Sequence, residues 1–193
     1  MKRLNNVQGN TRLTGVILAG GAGRRLGGRD KGLLHWRGQP LVAQVAARLR
    51  PQVDELWINC NRNRDDYIRY ADRVFSDLTE AFGPLAGLRS LPDISSSLLL
   101  VTPCDTPLLP LDLGERLLRA LEASPEADIA YASAAGDAHY LHAVLRRRVL
   151  AGLPDYLGSG GRSVQGWYAS QHTVTVEFSG ADFLNCNTPE AFD

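Results

Sequence analysis

Between Leu18 and Gly32 the chain reads LAGGAGRRLGGRDKG, a run dense in glycine that carries four cations and one carboxylate. Glycines let backbone N–H groups approach a ligand closely, and Arg and Lys supply charge, so the chemistry this composition suits is binding of a phosphate. The plain alternative is a flexible glycine turn with solvated arginines. Two familiar cradles do not fit. The dinucleotide pattern GxGxxG would start at Gly21 and Gly23 but meets Leu26 at its third glycine, and the P-loop spacing of Gly23 and Gly28 is followed by Arg29 and Asp30 rather than Lys and a hydroxyl. A nucleophile elbow GxSxG is absent, because Leu157 precedes Gly158-Ser159-Gly160.

A second chemical candidate is Asp105, which follows the apolar run Ser97 to Thr102 and stands between Pro103 and Pro107. A carboxylate at the mouth of a sheet is a hard oxygen ligand of the kind Mg²⁺ takes. It also reads as a loop aspartate capping a helix that starts near Leu111 to Leu113, although Asp112 suits that role well. Asn59 and Asp77 each end an apolar run, where they face a ligand crevice or simply serve turn chemistry. None of His35, His139, His142 or His172 stands in a triad or metal spacing; His139 and His142, three apart on a strand, are expected on opposite faces.

The elements that must position these residues follow from periodicity. Gly15 to Leu18, Glu55 to Cys60, Arg73 to Ser76 and Ser97 to Thr102 read as strands, with helical spacing over Leu41 to Arg50, Asp65 to Tyr70 and Leu85 to Leu91 between them. That βαβα rhythm predicts a mostly parallel, Rossmann-like α/β sheet with helices on both faces and ligands at the carboxyl ends of the strands. Further on, Leu113 to Ala123 and Gly161 to Ser170 read as helices. Asp128 to Ala132, His139 to Leu145 and Thr173 to Phe178 read as strands, the last alternating as a half-exposed one. Residues 1–13 are expected to form a loose extension and residues 14–193 a single domain.

Bulk properties narrow the class. Lys plus Arg and Asp plus Glu number 21 each, so no global field draws nucleic acid or anionic lipid. Cys60, Cys104 and Cys186 are odd in number and lack CxxC spacing, which points away from a disulfide framework or structural zinc and toward reduced thiols in the cytoplasm. No apolar run approaches the roughly 20 residues of a membrane span.

Taken together, the glycine-rich string resembles the signature loop LxxGxGxRxGxxK of nucleotidyltransferases. Three later stretches bring it close to the molybdenum cofactor guanylyltransferase family: Gly83-Pro84-Leu85-Ala86-Gly87, Thr102-Pro103-Cys104-Asp105-Thr106-Pro107 and Asn185-Cys186-Asn187-Thr188-Pro189-Glu190. The resemblance covers about Thr14 onward. It implies a nucleotidyltransferase fold and transfer of GMP from GTP to the terminal phosphate of molybdenum-molybdopterin, with Mg²⁺ as cofactor. It also implies contacts with proteins that deliver and receive the cofactor, and no nucleic-acid or membrane partner. By the same resemblance Arg25 and Lys31 hold the triphosphate and Asp105 the magnesium ion. The main chain of Leu18, Ala19, Gly20, Gly21 and Gly23 meets the nucleotide, Asn59 and Asp77 contact guanine, and Gly83 and Gly87 permit close approach to the base. Asn185, Asn187 and Arg162 fall on the pterin side; Arg24 and Arg29 read equally well as solvated. This chain departs from the family at His139-Tyr140-Leu141, where relatives commonly have His-Pro-Leu, and at Arg162, where paired cations are frequent. A cytidylyltransferase of the same fold and a silent nucleotide-binding regulator are the alternatives.

Overall fold

The computed structural model describes residues 12–21, 28–79 and 83–184. Its centre is β1 (Leu13–Leu18), buried at every position. A strand with two apolar faces must be covered on both sides. Leu13 and Ile17 point to one face, where α1 (Leu41–Leu49) and α4 (Leu113–Ala123) bring Val42, Val45, Leu49, Leu113, Leu117 and Leu121. Val16 and Leu18 point to the other, against Leu85 and Leu88 of α3 (Pro84–Arg89), Leu153 and Leu157 of α5 (Leu153–Gly158), and Trp167 of α6 (Val164–Tyr168).

The remaining sheet strands are β4 (Glu55–Asn59), β5 (Arg73–Phe75), β6 (Leu98–Pro103), β7 (Ile129–Ala134), β8 (Asp137–Arg146) and β9 (Thr173–Phe178). A short two-stranded ribbon, β2 (His35–Trp36) with β3 (Gln39–Pro40), leads into α1. The seven-stranded sheet has the order β5-β4-β1-β6-β8-β7-β9. β1 pairs in parallel with β4 and β6, β4 with β5, and β7 with β9. β8 alone runs the other way, antiparallel to both neighbours. The α/β sheet with helices on both faces is therefore as expected, and the carboxyl ends of β5, β4, β1 and β6 share one edge. Among the described residues no helix is long and apolar enough to cross a membrane.

Three local expectations change. Asp112 stands at the N-cap position of α4, but its side chain makes no capping bond; the buried Gln52 accepts from the Gly114 N–H at 2.8 Å and donates to the Pro110 carbonyl at 3.0 Å. The helix read over Gly161 to Ser170 is only α6, opened by Ser163, whose hydroxyl accepts the Gly166 N–H at 3.0 Å. His139 and His142 do not lie on opposite faces. The β7–β8 register jumps from Tyr131 opposite Ala143 to Ala132 opposite His139, so three extra residues bulge from β8. The two imidazoles end 5.8 Å apart, both against Phe183.

Candidate active site

The shared carboxyl edge is assembled strand by strand. Ala19 N–H donates to the Asn59 carbonyl at 2.8 Å, and Cys104 N–H donates to the Leu18 carbonyl at 3.2 Å, so the chain leaves β1 held between the ends of β4 and β6. Gly20 then passes so close to its neighbours that a Cβ would meet Asn59 Oδ1 at 2.6 Å, Asn61 Nδ2 at 3.0 Å and Asp77 Oδ2 at 3.2 Å. From the α3 side Gly87 approaches the same amide, its hypothetical Cβ 2.7 Å from Asn59 Oδ1. Both glycines are thus required by packing around Asn59, which is 2% exposed. Gly21 differs, with open space where its side chain would be. Gly83, at φ +58° and ψ −139°, holds a backbone conformation essentially reserved for glycine before Pro84 starts α3.

Asp77 lies across this edge. Its Oδ1 accepts from Asn59 Nδ2 at 2.9 Å and its Oδ2 from Asn61 Nδ2 at 2.8 Å, while its N–H donates to Asn61 Oδ1 at 2.8 Å. Asn61 also donates to the Gly20 carbonyl at 2.8 Å. One amide therefore ties the loops after β1 and β5 together, with the carboxylate fixed in orientation. Asn61 is not among the residues singled out from the sequence, yet it joins this network; its signal is the Asn59-x-Asn61 spacing, which puts two amides at one strand end.

On the other side of β1, Lys31 Nζ forms an ion pair with Asp105 Oδ2, the two side chains 20% and 14% exposed. Asp105 therefore faces the glycine-rich run, and the capping role is not the one it serves. Among the described residues no three His, Cys, Asp or Glu side chains cluster as a self-sufficient metal cage. A lone carboxylate beside a cation still fits Mg²⁺, which keeps waters and takes most remaining ligands from substrate phosphates. Burial pushes the Cys60 thiol up to about 11, and burial with the nearby Asp105 charge raises Cys104, so neither is a nucleophile at neutral pH.

Comparison with known proteins gives the family of the chain. Residues 15–174 match the family model described as MobA-like NTP transferase domain. The chain belongs to the MobA-like NTP transferase family. Similar family members include a molybdenum cofactor guanylyltransferase from Shewanella amazonensis, 42% identical over 93% of each chain. A protein of the same name from Shewanella frigidimarina is 45% identical over 91% of each. Among solved structures, molybdopterin-guanine dinucleotide biosynthesis protein A from Archaeoglobus fulgidus superposes with a TM-score of 0.73 at 19% identity, covering 93% of this chain and 94% of that one. CMP:2-keto-3-deoxy-manno-octonic acid synthetase, complexed with CTP, gives 0.75 at 16% identity over 93% and 95%. These two likenesses show the fold.

Within this MobA-like domain the structure brings together Leu18, Ala19, Gly20, Gly21, Asn59, Asp77 and Gly87 around one part of the edge, and Lys31 with Asp105 beside it. Gly83 opens α3. Arg162 sits between α5 and α6, where its guanidinium donates to the Leu157 carbonyl at 2.9 Å and the Gly161 carbonyl at 2.6 Å. Gly23, Arg24, Arg25, Asn185 and Asn187 lie outside the described residues.

Proposed function

We propose that the chain transfers GMP from GTP to the terminal phosphate of molybdenum-molybdopterin, releasing pyrophosphate and forming the guanine dinucleotide cofactor. The observation that carries the reading is the pairing, across β1, of a braced carboxylate with a cation–carboxylate pair. Asp77 is held by Asn59 and Asn61, and Lys31 meets Asp105 one strand further along. Similarity to guanylyltransferases supports the choice of substrates.

The chemistry of the base follows from Asp77. A carboxylate offers only acceptors, and the Watson–Crick edge of guanine presents two adjacent donors, the ring N1–H and the exocyclic amine. Adenine and cytosine each place an acceptor beside their single amine, which would face the carboxylate with an unpaired lone pair. On the phosphate side Lys31 and Arg25 are the cations assigned to the triphosphate. Asp105 is the residue that would hold Mg²⁺, which when bound supplies neutralising charge at the phosphates. The attacking substrate phosphate has a second pKa near 6 and is largely ionised at neutral pH, so no general base is needed. What the protein contributes is alignment of two anions and compensation of their charge.

The test is turnover with GTP, CTP, ATP and UTP against molybdopterin, reading pyrophosphate. GTP is expected to be preferred. A preference for CTP would replace the guanylyl reading with the cytidylyl one, and absence of pyrophosphate with every nucleotide would make the chain a binding protein.

A further inference from the structure

The residues just before Lys31 are held from outside by a group that no part of the reaction above uses. The Arg62 guanidinium, beyond the end of β4, donates to two consecutive carbonyls of the glycine-rich run, Gly28 at 2.7 Å and Arg29 at 3.0 Å. Its Nε lies 3.6 Å from Asp30 Oδ2. Asp30 in turn accepts from Tyr67 Oη at 2.5 Å on one oxygen and from Asn63 Nδ2 at 2.9 Å on the other. Arg62, Asn63 and Tyr67 all belong to α2 (Arg64–Tyr67) or the two residues before it. Asn63 reaches Asp30 from a left-handed backbone, φ 54°, a conformation asparagine tolerates better than most residues. Tyr67 is fully buried and lies directly under the next glycine, where a Cβ on Gly32 would come 2.4 Å from the phenol oxygen. Burial and the Asp30 bond raise the phenol far above its ordinary range, so it stays a donor.

The brace therefore grips residues 28, 29, 30 and 32 and leaves residue 31 between them. Gly28 and Gly32 flank that turn and would otherwise give it wide backbone freedom, and lysine itself has a long flexible stem. We propose that Arg62, acting through the Gly28 and Arg29 carbonyls, and Tyr67, acting through Asp30, are positioning residues that fix the turn from which Lys31 reaches Asp105 and the substrate phosphates. The catalytic consequence rests on the nucleotidyl-transfer reading. The positional one does not.

The composition supplies a direct probe. Of the 21 basic residues only Lys2 and Lys31 are lysines, so amine acylation followed by peptide mass spectrometry reads Lys31 with Lys2 as internal reference. Tyr67→Phe removes one hydroxyl and keeps the ring; Arg62→Gln loses the guanidinium fork without adding a third lysine. In each variant the Lys31-to-Lys2 labelling ratio is expected to rise at least about threefold, as loss of one or two hydrogen bonds loosens the turn. Turnover should fall about tenfold with the KM for GTP changed less than about twofold, since loss of alignment lowers kcat more than binding. In a Lys31→Ala background Tyr67→Phe should cost less than about twofold, because the interaction it supports is gone. An unchanged labelling ratio, or the same loss of turnover with and without Lys31, would overturn the assignment. Altered labelling with no nucleotidyl transfer in any variant, wild type included, would uphold the positioning and overturn the proposed function.

Discussion

Asp77 has both carboxylate oxygens engaged by asparagine amides, so its orientation is fixed by the protein itself, as the proposed contact to guanine requires. Asp77→Asn replaces one acceptor with a donor at the same volume. The KM for GTP should rise about 10- to 100-fold, the range for losing charged hydrogen bonds, and discrimination against CTP should shrink in parallel; steady-state kinetics with both nucleotides checks it. His142 carries a different prediction. It is 4% exposed, neither ring nitrogen has a partner among the described residues, and burial next to His139 lowers it to about 3. An unfolded histidine binds its proton near 6.5, so between those values the unfolded chain holds more protons than the folded one. Stability is therefore full above about pH 6.5 and falls by up to about 1.4 kcal/mol per unit as the pH drops toward 3. Denaturant titrations from pH 7 to 4 should show that slope, and His142→Leu should flatten it. The placement of Lys31, Asp105, Asn59 and Asp77 at one sheet edge is legible in the sequence, because each stands at a strand end or follows a glycine run, while the roles proposed for them come from the family resemblance. That of Asp30, Asn61, Arg62 and Tyr67 is not, because their importance lies in bonds between loops that only the assembled sheet brings together.

At the scale of elements, the apolar runs located the strands and the longer helices to within a few residues, since burial on two faces leaves uninterrupted runs and i,i+4 leucines leave a clear helical period. What escaped is the structure made by tertiary constraint. The run over Asp65 to Tyr70 splits into α2 and a 3-10 turn, Ile68–Tyr70, and α5 was not anticipated. The β8 bulge was hidden too, because a register jump depends on the partner strand and not on local alternation. The β7–β8 connection is a further instance. Ala134 pairs with Asp137, and the two residues between them, Ala135 and Gly136, both have positive φ, 52° and 88°. That is a type I′ hairpin with alanine at a position that favours Asn or Gly. Ala135→Gly should raise the unfolding free energy by roughly 0.5–1 kcal/mol, the left-handed penalty for alanine less the entropy cost of glycine. Chemical denaturation of the two proteins side by side decides it. In α4, Leu117 is fully buried beneath the sheet, and Leu117→Ala should cost about 2–5 kcal/mol by the same measurement.

For the whole molecule, cationic and anionic residues balance at 21 each, so any attraction for the proposed triphosphate must be local to one edge of the sheet, and the architecture decides when that edge exists. β1 pairs with β4 on one side and with β6, residues 98–103, on the other. Strands β4 and β5 can dock only toward one flank, so during synthesis the second flank of β1 stays unpaired until about half the chain has emerged. An apolar strand with a bare hydrogen-bonding edge is a template for association with other chains. A fragment ending before Leu98 is therefore expected to aggregate, and one extending through β8 to remain dispersed, as light scattering of the two would report. The central strand from which the chain runs into the shared carboxyl edge is thus also the segment most in need of protection while the protein is being made.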